Sequence, residues 1–513
     1  MLKDRRTVTI LAIALCLIYI VVRVWRLTDS CLWFDEIFSV HAAEHTWNTI
    51  WWFVARDLIH PPLFYATLKL WIGIGGESLL WLRLLPVLFS ALALVPFVYL
   101  CRELKLPDSV MLLSLAFLAV NGSLIKYTQT LRMYSMLMFL SLLSMWLFVR
   151  YFNRGKSFFW LLIANLLLVY THYFGWLVVG TEVIAILTFQ RIKWRRMVTM
   201  SVILLVGFLP WIIAVFKAAR AGSEVGQNIS WMSRPGIREM ISFVFDLTEP
   251  MYFQASNGEP ASLYRISVPI LLIFLTAIIV YFINWKTDAD KQRVYLVALF
   301  VFVPLVVAFI LSWLAPYSVW GTRHLIVIYA PAAMLLAYFI VRISTNYVRI
   351  GAVTLLLLLS GYAVVLQAFR DSPRYVWCAW NGVVDKIRAD EMSNEQPIKI
   401  YTFENLIAYH LWFALRDSDR YQVNVVTGVD VRTNDESYFL PRGFDQVPSV
   451  ALNEIENNFW LAVRTSADGE LAPILRTFED RGYKQCKTDP IEDARYDVST
   501  TVYLFKMTSG DCP

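Results

Sequence analysis

Residues 80–100 read LWLRLLPVLFSALALVPFVYL, and the basic residues Arg102 and Lys105 follow at once. A stretch of that length with a single charge can cross the hydrocarbon core of a bilayer as a helix, and Lys/Arg in a short flanking loop hold the loop in the cytoplasm. This reading fixes the register of everything around it. Ahead of it, Lys3, Arg5 and Arg6 precede an apolar run at 7–27. No small-residue cleavage site follows, so the run is read as an uncleaved signal anchor that starts inside. Leu63 to Ile74 gives only about a dozen apolar residues before Gly75-Gly76 and is read as juxtamembrane or re-entrant. Counting it as a span would place Arg102 and Lys105 outside.

Further spans are expected near 109–126, 133–150, 158–176, 177–190, 197–216, 266–284, 294–313, 324–342 and 350–368, eleven in total. The inside turns of this register are basic: Arg150, Arg154 and Lys156, then Arg191 and Lys193, then Lys286 and Lys291, then Arg342 and Arg349. Composition agrees. The chain of 513 residues is 58% hydrophobic and 17% charged, with mean hydropathy +0.53. Soluble domains carry about a quarter charged residues, so an ordinary soluble enzyme is excluded. Up to residue 368 there are 30 Lys+Arg against 17 Asp+Glu, a net +13, and beyond it 16 against 23, a net −7.

The expected architecture is therefore a polytopic α-helical membrane domain, 1–368, followed by a soluble extracytoplasmic α/β domain, 369–513. It is a multi-pass protein of the inner (plasma) membrane, with a cytoplasmic N-terminus and a periplasmic or extracellular C-terminal domain. Two long segments, 28–79 and 217–265, also fall outside, and loops of that length are usually functional. In the first, Trp47, Ile50, Trp51, Val54 and Leu58 recur at helical spacing, which predicts an amphipathic helix on the membrane surface.

In the C-terminal domain, helices are expected near 375–388, 404–415 and 471–481. Strands are expected near 398–402, 422–426, 458–464, 482–487 and 501–507. Cys486 and Cys512 flank the last strand pair and are the candidate disulfide. Cys378 and Cys31 share the same side, so spacing leaves the pairing open. Metal-ligand cysteine spacing, a phosphate-binding glycine loop and a Gly-x-Ser-x-Gly turn are all missing from the sequence, and no nucleic-acid partner is expected.

Ionisable residues gather at the outer boundary. Asp35 and Glu36 follow the first span, His60 precedes Pro61-Pro62, and Lys126 and Arg132 bracket a turn. His172 with Tyr173 ends the fifth span, and Arg323-His324 opens the tenth. Each has an ordinary explanation alone: a helix start for the carboxylates, a proline-led first turn at His60, snorkelling for the cations. Together, both signs of charge in an apolar surround mark a substrate pathway. A carboxylate would take a proton from an attacking hydroxyl and the cations would stabilise a phosphate leaving group.

The pieces Trp33-Phe34-Asp35-Glu36, His60-Pro61-Pro62-Leu63, Leu131-Arg132-Met133-Tyr134 and Arg323-His324-Leu325 with Ala330-Pro331 occur in an order that resembles the GT-C superfamily of membrane glycosyltransferases. The similarity is to the branch containing protein O-mannosyltransferases and the lipid A aminoarabinose transferase. That resemblance implies a polyprenyl-phosphate-linked sugar as donor, an extracytoplasmic lipid, glycan or protein acceptor, and inversion at the anomeric carbon. By position, it makes Asp35 the catalytic carboxylate, assisted by Glu36. Arg323, Arg132 and Lys126 would hold the donor phosphate, and His60, Tyr134, His172, Tyr173 and His324 would line the site. Phe64-Tyr65 follow Leu63 where the family has Gly-Lys, which argues against a protein acceptor.

A divalent metal on Asp35-Glu36 is possible by chemistry but has no further spaced ligands behind it. A flippase of lipid-linked sugars is the competing class. It would place charges along a path through the bilayer and show paired repeats, and the sequence shows neither.

Overall fold

A computed structural model describes residues 4–230, 232–251, 253–254, 260–261, 264–283, 291–369, 378–392, 396–428, 439–442, 444–465, 468–491 and 501–512. Lys286 and residues 375–377 of the first expected C-terminal helix lie outside the described residues. Among the described residues, eight helices are long and apolar enough to cross a bilayer: Arg5–Val24, Leu79–Glu103, Tyr134–Arg154, Trp194–Arg220, Arg265–Ile283, Lys291–Leu314, His324–Val341 and Asn346–Ala368. Tyr134–Arg154 and His324–Val341 are 78% and 89% buried and form the middle of the bundle. Arg5–Val24 and Asn346–Ala368, at 17%, turn most of their Leu, Ile and Val outward.

Three of the eleven expected spans are shorter helices: Asp108–Val120 with 13 residues, Phe158–Thr171 with 14 and Gly175–Phe189 with 15. Polar groups end them. The guanidinium of Arg23, fully buried, donates to the carbonyls of Leu118 and Ala119 at 2.9 and 3.1 Å and so closes the first of these helices. Asn121 then caps the next helix, Gly122–Gln129, by accepting from the Leu124 amide. Such caps satisfy backbone groups that a helix end leaves orphaned, which matters most where no water is at hand.

The helix Ile50–Asp57 forms as expected from its spacing, but its apolar face is not laid on lipid. Ile50, Val54 and Leu58 are buried and only Trp47 and Trp51 are exposed. The face packs against Trp194–Arg220.

The chain divides into two compact units, and the second is discontinuous: Thr28–His41 groups with the chain from Ser372 onward. Its sheet has six strands in the order Ser449–Ala451, Tyr421–Thr427, Ile398–Thr402, Asn458–Thr465, Thr501–Thr508, Lys484–Ile491. The first four run parallel, and Thr501–Thr508 is antiparallel to both of its neighbours, Asn458–Thr465 and Lys484–Ile491. Alternation sorts the faces. Ile398, Ile400, Trp460 and Val502 pack with the helices Ala379–Asp390 and Asn405–Leu415. Tyr401, Phe459, Leu461 and Phe505 pack with Phe478 of Asp468–Glu479.

Two disulfides close this unit, Cys31–Cys378 and Cys486–Cys512. The segment 28–41 is held a second time by His41, whose Nδ1 lies 2.7 Å from the Tyr409 hydroxyl and whose ring packs on Trp412 and Phe444.

Candidate functional site

Three histidines far apart in sequence are brought together by three local devices. His60 follows a helix that stops at Leu58, which takes a left-handed φ of 62°. That conformation costs a leucine about 1–2 kcal/mol. The turn is held from outside, since the Tyr173 hydroxyl donates to the Leu58 carbonyl at 3.4 Å and Asn228 Nδ2 to the Asp57 carbonyl at 2.7 Å. Pro62 then caps the helix Leu63–Gly75, where its missing N–H costs nothing.

His172 ends the helix Phe158–Thr171 in an extended conformation, and its Nδ1 accepts from the Phe174 amide at 3.1 Å. The next helix begins at Gly175, whose missing side chain allows an approach in which a Cβ would stand 2.8 Å from the Leu168 carbonyl oxygen. His324 is packed against Gly321, where a Cβ would lie 2.8 Å from Nδ1.

All three imidazoles are buried, at 5%, 3% and 7% exposure, and their offered nitrogens lie within 4.8 Å of one another. Ring centroids are 5.4 Å apart for His60 and His172 and 5.0 Å for His172 and His324. Arg132, buried as well, places one guanidinium nitrogen 3.4 Å from His60 Nδ1 and donates another to the Tyr65 hydroxyl at 3.3 Å. Asp57 Oδ2 lies 3.5 Å from His60 Nδ1. Arg132 and Arg323 both bear electrostatically on His172. The Tyr134 ring is 6.3 Å from that of His324.

Of the residues singled out from the sequence, His60, His172, His324, Arg132, Arg323 and Tyr134 thus share one place in the first unit. Tyr173 acts in the supporting structure. Besides donating to Leu58, its hydroxyl accepts from the Trp211 indole at 3.1 Å. Lys126 sits over the Tyr127 ring at 5.9 Å, and the Tyr127 hydroxyl, 3.2 Å from Thr322, ties that helix to the loop before Arg323. Asp35 and Glu36 belong to the second unit, in the first turn of Phe34–Glu44. Glu36, buried, accepts from the Trp33 amide at 3.2 Å, and Ser39 donates to the Asp35 carbonyl.

Sequence reasoning missed Asp57, Tyr65 and Phe174. Asp57 alone had a signal, a carboxylate three residues before the histidine of His60-Pro61-Pro62. It also missed Glu182, whose carboxylate is wholly buried in the bundle, accepting from Ser144 Oγ at 2.5 Å and from Asn165 Nδ2 at 2.7 Å.

The histidine cluster does not suit a divalent cation. Because Nδ1 of His172 accepts a backbone N–H, the neutral ring carries its proton on Nε2 and offers no lone pair there. Two nearby guanidiniums oppose a dication. Donors and positive charge in an apolar setting suit an anion instead.

No protein-family model matches the sequence, and no curated protein matches it. Solved structures do. ArnT from Cupriavidus metallidurans bound to undecaprenyl phosphate aligns with a TM-score of 0.57 at 12% identity, over 98% of this chain and 98% of that one. Its apo state aligns at 0.56 and 12%, over 97% of each. This chain has an ArnT-like fold. At such identity the likeness is one of fold, and it covers nearly the whole of this chain. The apo oligosaccharyltransferase of Archaeoglobus fulgidus aligns with a TM-score of 0.49 at 11% identity, over 80% of this chain and 64% of that one, so this chain spans less than two thirds of that protein's length.

Proposed function

We propose that the chain is an integral membrane glycosyltransferase of the inner membrane, moving a sugar from a polyprenyl-phosphate donor to an extracytoplasmic lipid, glycan or protein. The observation that carries this reading is the buried cluster of His60, His172 and His324 with Arg132 and Arg323, an anion site inside an apolar bundle. A phosphate that must leave a sugar gains most from donors fixed in a place without water. Support also comes from ArnT, which shares the fold and whose structure holds undecaprenyl phosphate.

In this reading Arg323 and Arg132, with Lys126, hold the phosphate, and Tyr134 lines the site. Asp35 is the general base, on the strength of the resemblance in Trp33-Phe34-Asp35-Glu36, and Glu36 fixes the start of its helix. The acceptor hydroxyl loses its proton to Asp35 as it attacks the anomeric carbon, the bond from that carbon to the phosphate oxygen breaks, and the configuration inverts.

The test is turnover of polyprenyl-phosphate sugars by purified protein. General base catalysis contributes about 100- to 10,000-fold, so Asp35→Asn is expected to lose activity on that scale while folding normally. Near-normal turnover of the folded variant would remove Asp35 from the mechanism. Donor identity comes from mass spectrometry of the lipid-linked sugars that accumulate when the protein is deleted.

A further inference from the structure

We propose that the three histidines form a neutral oxyanion site in which the Nε2–H of His172 donates to an oxygen of the donor phosphate. This rests on the glycosyltransferase reading and goes beyond it by naming an uncharged donor and fixing its tautomer.

Three observations lead there. First, the Phe174 amide donates to Nδ1 of His172 at 3.1 Å, so the ring is held neutral with its proton on Nε2. Second, that Nε2 is buried and makes no hydrogen bond among the described residues. A buried donor without an acceptor is destabilising, a cost removed when an acceptor arrives. Third, the offered nitrogens of the three rings lie within 4.8 Å of one another. One oxygen accepting two hydrogen bonds of about 2.9 Å bridges nitrogens up to about 5.8 Å apart. Arg132 and Arg323 give the place its sign, and Phe174, with its ring 5.4 Å from those of His172 and His324, helps to keep water out.

Division of labour follows from these features. The guanidiniums supply charge and the imidazole supplies direction. A neutral N–H donor keeps its proton through the cycle, and its hydrogen bond strengthens as the phosphate passes from a diester with one charge to a departing monoester with two. The arrangement parallels enzymes in which neutral imidazole, not imidazolium, polarises an oxygen.

The experiment uses the full-length protein in detergent, titrated with a 55-carbon polyprenyl phosphate, with inorganic phosphate and with Zn²⁺. A hydrogen bond to a charged group contributes about 1.5–3 kcal/mol, which by the tenfold-per-1.4 rule is about 10- to 150-fold in affinity. His172→Phe is therefore expected to weaken polyprenyl phosphate binding by about 10-fold or more. His172→Gln, which keeps an N–H donor, is expected to stay within about threefold of the parent. Inorganic phosphate binding that falls in parallel would assign the effect to the phosphate rather than to the lipid chain.

Polyprenyl phosphate binding by the parent, unchanged in folded His172→Phe, overturns this inference and leaves the glycosyltransferase reading standing. No binding by the parent overturns that reading and this inference with it. Stoichiometric Zn²⁺ lost in His172→Phe overturns it in favour of a metal site. Should His172→Phe fail to fold, the histidine ¹⁵N spectrum of the parent decides among six histidines. An Nδ1–H tautomer at His172 overturns the proposal, and an Nε2–H tautomer retained from pH 5 to 9 upholds it.

Discussion

Gly321 stands where a methyl group would come within 2.8 Å of His324 Nδ1. Gly321→Ala therefore pushes the imidazole out of line, at an overpacking cost of about 1–3 kcal/mol. The expected result is roughly tenfold weaker polyprenyl phosphate binding with the fold kept, read by titration and thermal melting of the same sample. His410 gives a prediction at the same scale in the second unit. Burial lowers its pKa to about 3, against about 6.5 in an unfolded chain, and its Nε2 has no hydrogen-bond partner among the described residues. The folded state thus refuses a proton that the unfolded state accepts. Stability is full above pH 6.5 and falls as pH drops from 6.5 towards 3, by up to about 1.4 kcal/mol per unit. His410→Leu is expected to flatten that acid slope, measured by denaturation of the whole protein at pH 7, 6 and 5. The short motifs at His60, Arg132 and Arg323 were legible in sequence because ionisable groups are rare in apolar surroundings. Phe174 was not, since an aromatic residue beside a span has no distinguishing pattern until the loop that folds it over His172 and His324 is known.

Among elements, the long spans were legible because lipid leaves a chain few choices: backbone groups must pair within the segment and side chains must be apolar over some 20 residues. Legibility failed where one polar residue ended a helix early, as at Asn121, or where three helices met. Ser144, Asn165 and Glu182 come from Tyr134–Arg154, Phe158–Thr171 and Gly175–Phe189, and no single helix shows that its polar residue faces the other two. This junction clamps the two short helices to a central one. Glu182→Leu removes the acceptor for a buried hydroxyl and a buried amide, each worth about 1–3 kcal/mol if left unsatisfied. A clear fall in the melting temperature in detergent is expected. Glu182→Gln, which retains an acceptor, should lose less than half as much, and an equal loss for both would show that charge rather than hydrogen bonding holds the junction.

For the whole molecule, the Cys31–Cys378 bond limits how the chain threads the membrane. Both sulfurs must lie on one side, so the chain crosses an even number of times between them. Seven of the eight long helices fall in that interval. If all seven cross, an odd number of the shorter helices crosses too. The expected spans at 109–126, 158–176 and 177–190 satisfy this, and Leu63–Gly75 as a fourth would not. Single cysteines at Lys105 and Thr130 should accordingly react with an impermeant maleimide from opposite faces of sealed vesicles; reaction from the same face would transfer the crossing to Leu63–Gly75. Nothing in the sequence revealed that residues 28–41 fold with the last quarter of the chain, because a bond between partners 347 residues apart leaves no local pattern. The same distance sets an order of manufacture. At about 5–20 residues per second of synthesis, Cys378 is made about 17–70 s after Cys31, when all eight long apolar helices have been synthesised. A chain interrupted just before residue 378 would therefore hold every one of those helices while the helix carrying Asp35 lacked its covalent tether, so the last part of the message decides when its first loop is finished.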